Sequence, residues 1–265
     1  MKYNLELRVA KQLALKAGKV IMEYYRGNLE PTYKKDGSPV TEADVRANEI
    51  IVEGLRKYFP YDGIVSEELE KVKGDRKWYI DPIDGTRGFV EKNGEFAVHI
   101  GLCEETTPVL GVVYQPVALT LFYATPEHGA HIRRKGQNEL TELSLITYDF
   151  NVKDLTYSTK GRKEIEENRI LLDKIGATRN FIIGSEGLRV MGIATNIIDV
   201  RISGKGLNTW DVCAPQAILQ CARGFVGLLN GKPINYEGQS KIGGKVVYAR
   251  HKCLVDKLWT YNETL

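Results

Sequence analysis

The run Trp78-Tyr79-Ile80-Asp81-Pro82-Ile83-Asp84-Gly85-Thr86 joins an apolar segment directly to two carboxylates and a turn. Its three large apolar residues predict a buried strand over 78–81, ending abruptly in acid. Strand ends are where open α/β sheets present groups to a ligand, so these carboxylates are expected on a rigid edge. Two acids this close repel each other unless something positive lies between them. A divalent metal suits the place, because hard cations take carboxylate and carbonyl oxygens. Pro82 fixes its own φ and restricts Asp81, while Gly85 permits a turn that a side chain would obstruct. The expectation is a preformed metal site; a plain solvent turn fits poorly with so apolar an approach.

On the N-terminal side, Val9, Leu13, Ala17, Val20, Ile21 and Tyr24 recur at helical spacing and predict a helix over 5–26. A Gly/Pro-bearing loop, Lys34-Lys35-Asp36-Gly37-Ser38-Pro39, leads to a second helix from about Thr41 that stops before Phe59-Pro60. Beyond the acid run, strands are expected at 96–103, 109–114, 119–124 and 129–133. From about 154 the pattern alternates: strand 155–158, helix 164–175, strand 180–183, helix 186–195 and strand 197–202. A helix from Val212, a strand at 225–229, and a strand and helix near 246–260 follow. The pattern predicts an α+β lobe over residues 1–140 and an α/β lobe over 141–265, meeting near 135–154.

At 265 residues the chain can bury a sizeable core, and a net charge of +3 points to neither a nucleic-acid polymer nor a membrane surface. Cys103, Cys213, Cys221 and Cys253 form no CxxC pair, so they read as small buried hydrophobes in a reducing compartment. A charged amphipathic start and the lack of any bilayer-length apolar run lead us to expect a cytoplasmic protein.

Other acids stand out. Glu67-Glu68 follows the short apolar stretch Ile64-Val65-Ser66; by itself it fits a solvated turn. Asp44, in Thr41-Glu42-Ala43-Asp44, fits a helix-start capping pattern. Asp211, in Trp210-Asp211-Val212-Cys213-Ala214-Pro215, would serve as an N-cap. Singly these are weak signals, and their order along the chain strengthens them.

In that order, Asp44, Glu67-Glu68, Asp81-Pro82-Ile83-Asp84-Gly85-Thr86 and Trp210-Asp211-Val212-Cys213-Ala214 resemble the lithium-sensitive, magnesium-dependent phosphatases of the inositol monophosphatase superfamily. The resemblance covers essentially the whole chain. It implies a layered αβαβα sandwich and at least two Mg2+ ions. Glu67, Asp81 and the carbonyl of Ile83 would bind one, Asp81, Asp84 and Asp211 a second, with a weaker third shared by Glu67. Asp44 and Thr86 would pair to orient and deprotonate the attacking water, and the amides of Gly85 and Thr86 would hold phosphate oxygens. Metal-bound water is acidified, and adjacent cations neutralise the attacking and leaving oxygens of an in-line displacement. Losing one charge from such a cluster, as in Asp84→Asn, is expected to relieve repulsion in the metal-free protein. An aspartyl-phosphate mechanism uses Asp-x-Asp; the spacing here, Asp81-x-x-Asp84, is one residue longer.

The implied substrate is a small phosphate ester, for a protein that is a monomer or homodimer. Phe89-Val90-Glu91-Lys92-Asn93-Gly94-Glu95-Phe96 and the Cys213-Ala214-Pro215 run are similar to segments of 3′(2′),5′-bisphosphate nucleotidases. Inositol monophosphatases usually carry a Glu seven residues before the Trp-Asp aspartate; Gly204 stands there. A carboxylate would repel a second phosphate, so its absence favours adenosine 3′,5′-bisphosphate over inositol or sugar phosphates. Gly184-Ser185-Glu186-Gly187-Leu188-Arg189 resembles the family's substrate segment, making Ser185 and Arg189 candidate contacts, with Lys205 a candidate for the 5′-phosphate. Arg189 as a solvated helix residue and Lys205 as an ordinary loop lysine are the plainer readings. Ser158-Thr159-Lys160 departs from the family's Ser-His pair at this place.

Overall fold

The computed structural model describes residues 2–27, 32–33, 39–72, 74–137, 140–145, 154–237 and 240–262. The chain opens with α1 (Asn4–Arg26), a short strand pair β1 (Thr32–Tyr33) and β2 (Pro39–Val40), and α2 (Glu42–Tyr58). β3 (Gly63–Ser66) and β4 (Leu69–Val72) form a hairpin ahead of β5 (Arg76–Asp84) and the short helix α3 (Thr86–Val90). A meander follows through β6 (Ala97–Glu104), β7 (Thr107–Gln115), β8 (Thr120–Thr125), β9 (Gly129–Arg133) and β10 (Thr141–Leu143). The rest is β11 (Leu155–Thr159), α4 (Arg162–Ile175), β12 (Ala177–Ile182), α5 (Glu186–Ala194) and β13 (Val200–Ile202). It ends with α6 (Thr209–Cys221), β14 (Phe225–Leu228), β15 (Val246–Ala249) and α7 (Lys252–Asn262).

These elements stack in five layers. The large sheet runs β10-β9-β8-β7-β6-β5-β3-β4, antiparallel except for the parallel β3–β5 pair. One face, carrying Trp78, Ile80, Ile100 and Val112, buries the apolar stripes of α1 and α2, among them Leu13, Ile21, Ile51 and Leu55. The opposite face, with Tyr79 and Val113, packs on Val190 and Ile193 of α5 and Cys213 and Ile218 of α6. Both faces of β5 are therefore covered, which is why its sequence is a continuous apolar run and not an alternating one. The smaller sheet, β12-β11-β13-β15-β14, lies beyond α5 and α6 and carries α4 and α7 on its far side through Leu172, Ile175, Leu254 and Leu258. Helix, sheet, helix, sheet, helix is the αβαβα order expected.

Several bounds differ from the sequence expectation. β5 continues through Asp84 and does not stop at Asp81: its ladder with β6 pairs Asp81 with His99 and Asp84 with Ala97. Three steps on β5 oppose two on β6, a bulge at Pro82-Ile83 where proline has no amide to give to the ladder. The helix expected from Val212 begins at Thr209, and the strand expected at 180–183 lies at Ala177–Ile182. The hairpin of β3 and β4 was not expected, because each strand is four residues long. The loop read at 34–39 and the junction near 135–154 fall largely or partly outside the described residues. Cys103 and Cys213 are buried thiols with sulfurs 3.6 Å apart, while Cys221 and Cys253 are only half-buried. Among the described residues no helix is long and apolar enough to cross a membrane.

Candidate active site

The bulge at the end of β5 aims two carboxylates out of one strand. Asp81 is buried, and its Oδ1 accepts the Ile83 amide at 3.1 Å, which tightens the turn after Pro82. The parallel pairing of Ser66 with Ile80 places the next residue of each strand, Glu67 and Asp81, side by side, and the Glu67 amide donates to the Ile80 carbonyl at 3.3 Å. The half-buried Glu67 sits in the turn between β3 and β4, fastened to the sheet by that bond. Gly85, at φ +91°, turns the chain into α3 in the left-handed region, and a Cβ there would lie 2.5 Å from the Glu95 carbonyl oxygen.

Asp44 and Asp211 reach the same neighbourhood from helix starts. Asp44, third in α2, accepts the Thr41 amide at 2.8 Å and the Thr41 hydroxyl at 2.6 Å. Asp211 is the third residue of α6 and accepts the Asn208 amide at 2.7 Å, so Asn208 and not Asp211 is the N-cap. The expected Asp44–Thr86 pair is not made. Thr41 holds Asp44 in the capping arrangement that its spacing also permitted, and the Thr86 hydroxyl donates to the Ile83 carbonyl at 3.1 Å.

The electrostatics tie these groups together. Burial pushes Asp81 well above the ordinary carboxylate range, and the charges of Glu67, Asp84, Asp211 and Asp44 push it further. Burial likewise raises Asp211 well above that range against the Asn208 amide, with Asp84 and Glu67 adding to the rise. Asp44 is pushed up to about 6 by burial, opposed by Thr41 and assisted by Glu67 and Glu68. An all-oxygen donor set whose members cannot all ionise without a cation fits a hard divalent metal in its chemistry. It is not the preformed cage expected from sequence. Among the described residues no three acidic, histidine or cysteine side chains converge as a metal cluster. The carboxylates of Asp44, Asp81, Asp84 and Asp211 each accept a backbone amide.

Asp84 behaves differently from Asp81. Its Oδ2 accepts the Ser185 hydroxyl and the Gly187 amide, and its Oδ1 accepts the Glu186 amide at 3.1 Å. It therefore satisfies three donors at the start of α5. His99 Nε2 lies 3.2 Å from the same Oδ2. Burial would raise Asp84, but His99, the Ser185 hydroxyl and Arg189 together hold it well below the usual range. Ser185, read as a substrate contact, is fully buried as the N-cap of α5 and binds Asp84.

Arg189 turns inward. Its guanidinium donates to the Ile183 carbonyl and to Glu186 Oε2 at 2.5 Å, so it is neither solvated nor offered to a substrate. Glu186 Oε2 also accepts Arg201 at 2.9 Å, and Arg201 reaches Glu164 at 2.9 Å. Burial would raise Glu186, but Arg201 and Arg189 hold it low. Glu164 Oε1 in turn accepts the Gly204 amide at 2.6 Å. The place of Gly204 is thus not free of carboxylate: Glu164 arrives from α4, paired with Arg201, and Glu167 Oε2 lies 3.8 Å from where a Cβ on Gly204 would stand. Lys205 is exposed and lines a cavity of about 250 Å³ with Leu228, Leu229, Asn230, Gly244 and Lys245, none of them in the acid group.

The sequence pattern described as the inositol monophosphatase family matches residues 4–264. The chain belongs to that family. Within it, the chain is 33% identical over 238 residues to the 3′(2′),5′-bisphosphate nucleotidase CysQ of Salmonella typhimurium, covering 85% of this chain and 91% of that protein. The CysQ nucleotidase of Escherichia coli K12 is 32% identical over 232 residues, again 85% and 91% of the two chains. CysQ from Bacteroides thetaiotaomicron superposes at TM-score 0.75 with 26% identity, covering 94% of this chain and 99% of its own. An inositol monophosphatase from Zymomonas mobilis superposes at TM-score 0.80 with 25% identity over 99% of both chains. The protein is accordingly a hydrolase of a phosphatase family. His99, Glu164 and Arg201, which join the network around Asp84 and the start of α5, were not singled out in the sequence. Only Arg201 left a signal, a charge inside the apolar run Val200-Arg201-Ile202.

Proposed function

We propose that this protein removes the 3′-phosphate from adenosine 3′,5′-bisphosphate, using magnesium held by Glu67, Asp81, Asp84, Asp211 and the carbonyl of Ile83. The observation that carries the proposal is the electrostatic gathering of Glu67, Asp84, Asp211 and Asp44 about Asp81. It occurs in a chain whose relatives bear the name 3′(2′),5′-bisphosphate nucleotidase. Bound magnesium would acidify a water and neutralise charge on the reacting phosphate. The chain's own part is to hold the ester in line and take the proton. Asp44 and Thr86 are the proposed base pair, and since each now holds a local partner, both must turn to meet. The amides of Gly85 and Thr86 are proposed to hold phosphate oxygens, with Ser185 and Arg189 acting through the frame of α5 and Lys205 reserved for the 5′-phosphate. The pairing of Glu164 with Arg201 lessens the repulsion that the carboxylate at Gly204 would exert on that second phosphate.

Phosphate release over a panel of esters tests this. Adenosine 3′,5′-bisphosphate should show a higher kcat/KM than inositol 1-phosphate or fructose 1,6-bisphosphate, since its adenosine and 5′-phosphate supply binding energy remote from the reacting group. A preference for inositol 1-phosphate under matched magnesium would overturn the nucleotide assignment and leave the phosphatase. The likeness to inositol monophosphatase structures makes that ester the comparison to run.

A further inference from the structure

We propose a second binding site, apart from the acid group and independent of the metal reading, for an uncharged heterocycle that presents a ring nitrogen beside an amino group. The site is a cavity of about 480 Å³ between the turn joining β6 to β7, the second half of α6 and the segment from β14 to β15. That volume falls within the roughly 300–1,000 Å³ of small-molecule sites. Pro108, Val226 and Ile234, all buried, give it apolar surface, and Gln216, Gln220 and Asn235 give it carboxamides. The other lining residues, two threonines and a proline, are neutral as well, and none belongs to the acid group. Among the described residues no cation lines the cavity, so a phosphate placed there would lose water without compensation.

The carboxamides are held in one sense. Gln216 Oε1 accepts the Tyr236 hydroxyl at 2.7 Å, which leaves Gln216 Nε2 as a donor. Tyr236 is anchored in turn, its carbonyl accepting the Tyr79 hydroxyl of β5 at 2.7 Å. One turn further along α6, Gln220 Oε1 lies 3.5 Å from that Nε2, too long for a strong bond between the two. A donor and an acceptor therefore stand side by side, each with capacity left for a ligand. Asn235 Oδ1 is taken by the Glu237 amide at 2.7 Å, so its Nδ2 adds a second donor. The complementary ligand edge is an acceptor beside a donor, which adenine and cytosine both carry as a ring nitrogen next to an amino group. A carboxamide oxygen and nitrogen recognise that edge of adenine together; here two glutamines supply one atom each.

Titration calorimetry of the full chain in chelator, with adenosine, cytidine and purine riboside as probes, tests the assignment. Adenosine or cytidine should bind one to one: binding of adenosine alone assigns a purine, and of cytidine alone a pyrimidine. Purine riboside lacks the amino donor and should bind at least about 5-fold more weakly than the better of the two. Gln220→Leu, at an exposed position, and Gln216→Leu should each weaken that nucleoside at least about 5-fold, while Asp81→Asn should leave it unchanged. Gln216→Leu strands the Tyr236 hydroxyl; if it does not fold, Gln220→Leu decides. Binding of neither nucleoside, equal binding of purine riboside, or equal competition by the nucleoside's 5′-monophosphate would overturn the proposal. Nucleoside binding that Gln220→Leu leaves intact would also overturn it, and would leave the phosphatase reading untouched.

Discussion

The Asp84 carboxylate at the end of β5 accepts the backbone amide of Gly187, 103 residues further along the chain, at 2.8 Å. One aspartate thereby does two things: it belongs to the acid group around Asp81, and it holds the first turn of α5 against the large sheet. Its neighbour Asp81 has only the first of these tasks.

That difference gives two superficially equal substitutions opposite signs. Asp81→Asn removes a charge that burial and four other carboxylates disfavour, so the metal-free protein should become more stable. Asp84→Asn weakens charge-assisted bonds from Ser185, Glu186 and Gly187 and should cost about 1–3 kcal/mol. The relief of repulsion expected from sequence at Asp84 is outweighed by the loss of this cap. Both variants should lose turnover. Denaturant unfolding in the presence of a chelator checks the signs, and stabilisation by Asp84→Asn would show that the cap is energetically minor.

The metal-free protein should lose stability as the pH rises toward neutral. Asp44, pushed up to about 6, binds its proton more tightly in the folded than in the unfolded chain. The folded state therefore carries more protons between about pH 4 and pH 6, and stability falls as pH climbs through that window. For Asp44 the loss is on the order of 2 to 3 kcal/mol, and the raised Asp81 and Asp211 act in the same direction. Asp84 and Glu186, both held low, lose their contributions only in more acid solution. Chelator-treated protein should melt lower at pH 7 than at pH 5, and Asp44→Asn should narrow the gap.

Magnesium should reverse that trend. A ligand bound only by the folded chain adds about 2.7 kcal/mol at a hundredfold excess over its Kd. The rise in Tm should be larger at pH 7, where the carboxylates are ionised, than at pH 5, and smaller in Asp81→Asn. Superimposable melts with and without saturating magnesium at pH 7 would remove the acid group from consideration as a metal site.

The base assignment can be probed by a double-mutant cycle. Thr86→Ala and Asp44→Asn should each slow the chemical step, and the double variant should be little worse than either, because groups acting as one unit fail together. Additive losses would mean that the separate partners seen here, Thr41 for Asp44 and the Ile83 carbonyl for Thr86, are also the working arrangement.

Arg201 is the link between Glu186 and Glu164. Arg201→Met leaves two buried carboxylates without that partner and should destabilise the fold by about 3–5 kcal/mol. Replacing a buried ion network by apolar groups throughout is often neutral, so the loss reports the stranded charges and not the worth of the network. A variant with unchanged unfolding midpoint would show that water already screens this cluster.

Local chemistry alone determined much of this protein. Helical spacing in Val9, Leu13, Ala17 and Ile21 marked α1, and the unbroken apolar run at Trp78–Ile80 marked a strand covered on both faces. The acids at Asp44, Glu67, Asp81, Asp84 and Asp211 were legible as one set because their types and order carry information without any distance. What only the tertiary structure decided is how each acid is used. Whether Asp84 caps a helix and whether Glu164 fills the place of Gly204 depend on partners tens of residues away in sequence. His99 shows the limit most plainly: in the strand Ala97–Glu104 it is one polar residue among apolar ones. Only the folded chain sets it beside Asp84 Oδ2, at 3.2 Å, and against Gly187 from a helix in the other half of the chain.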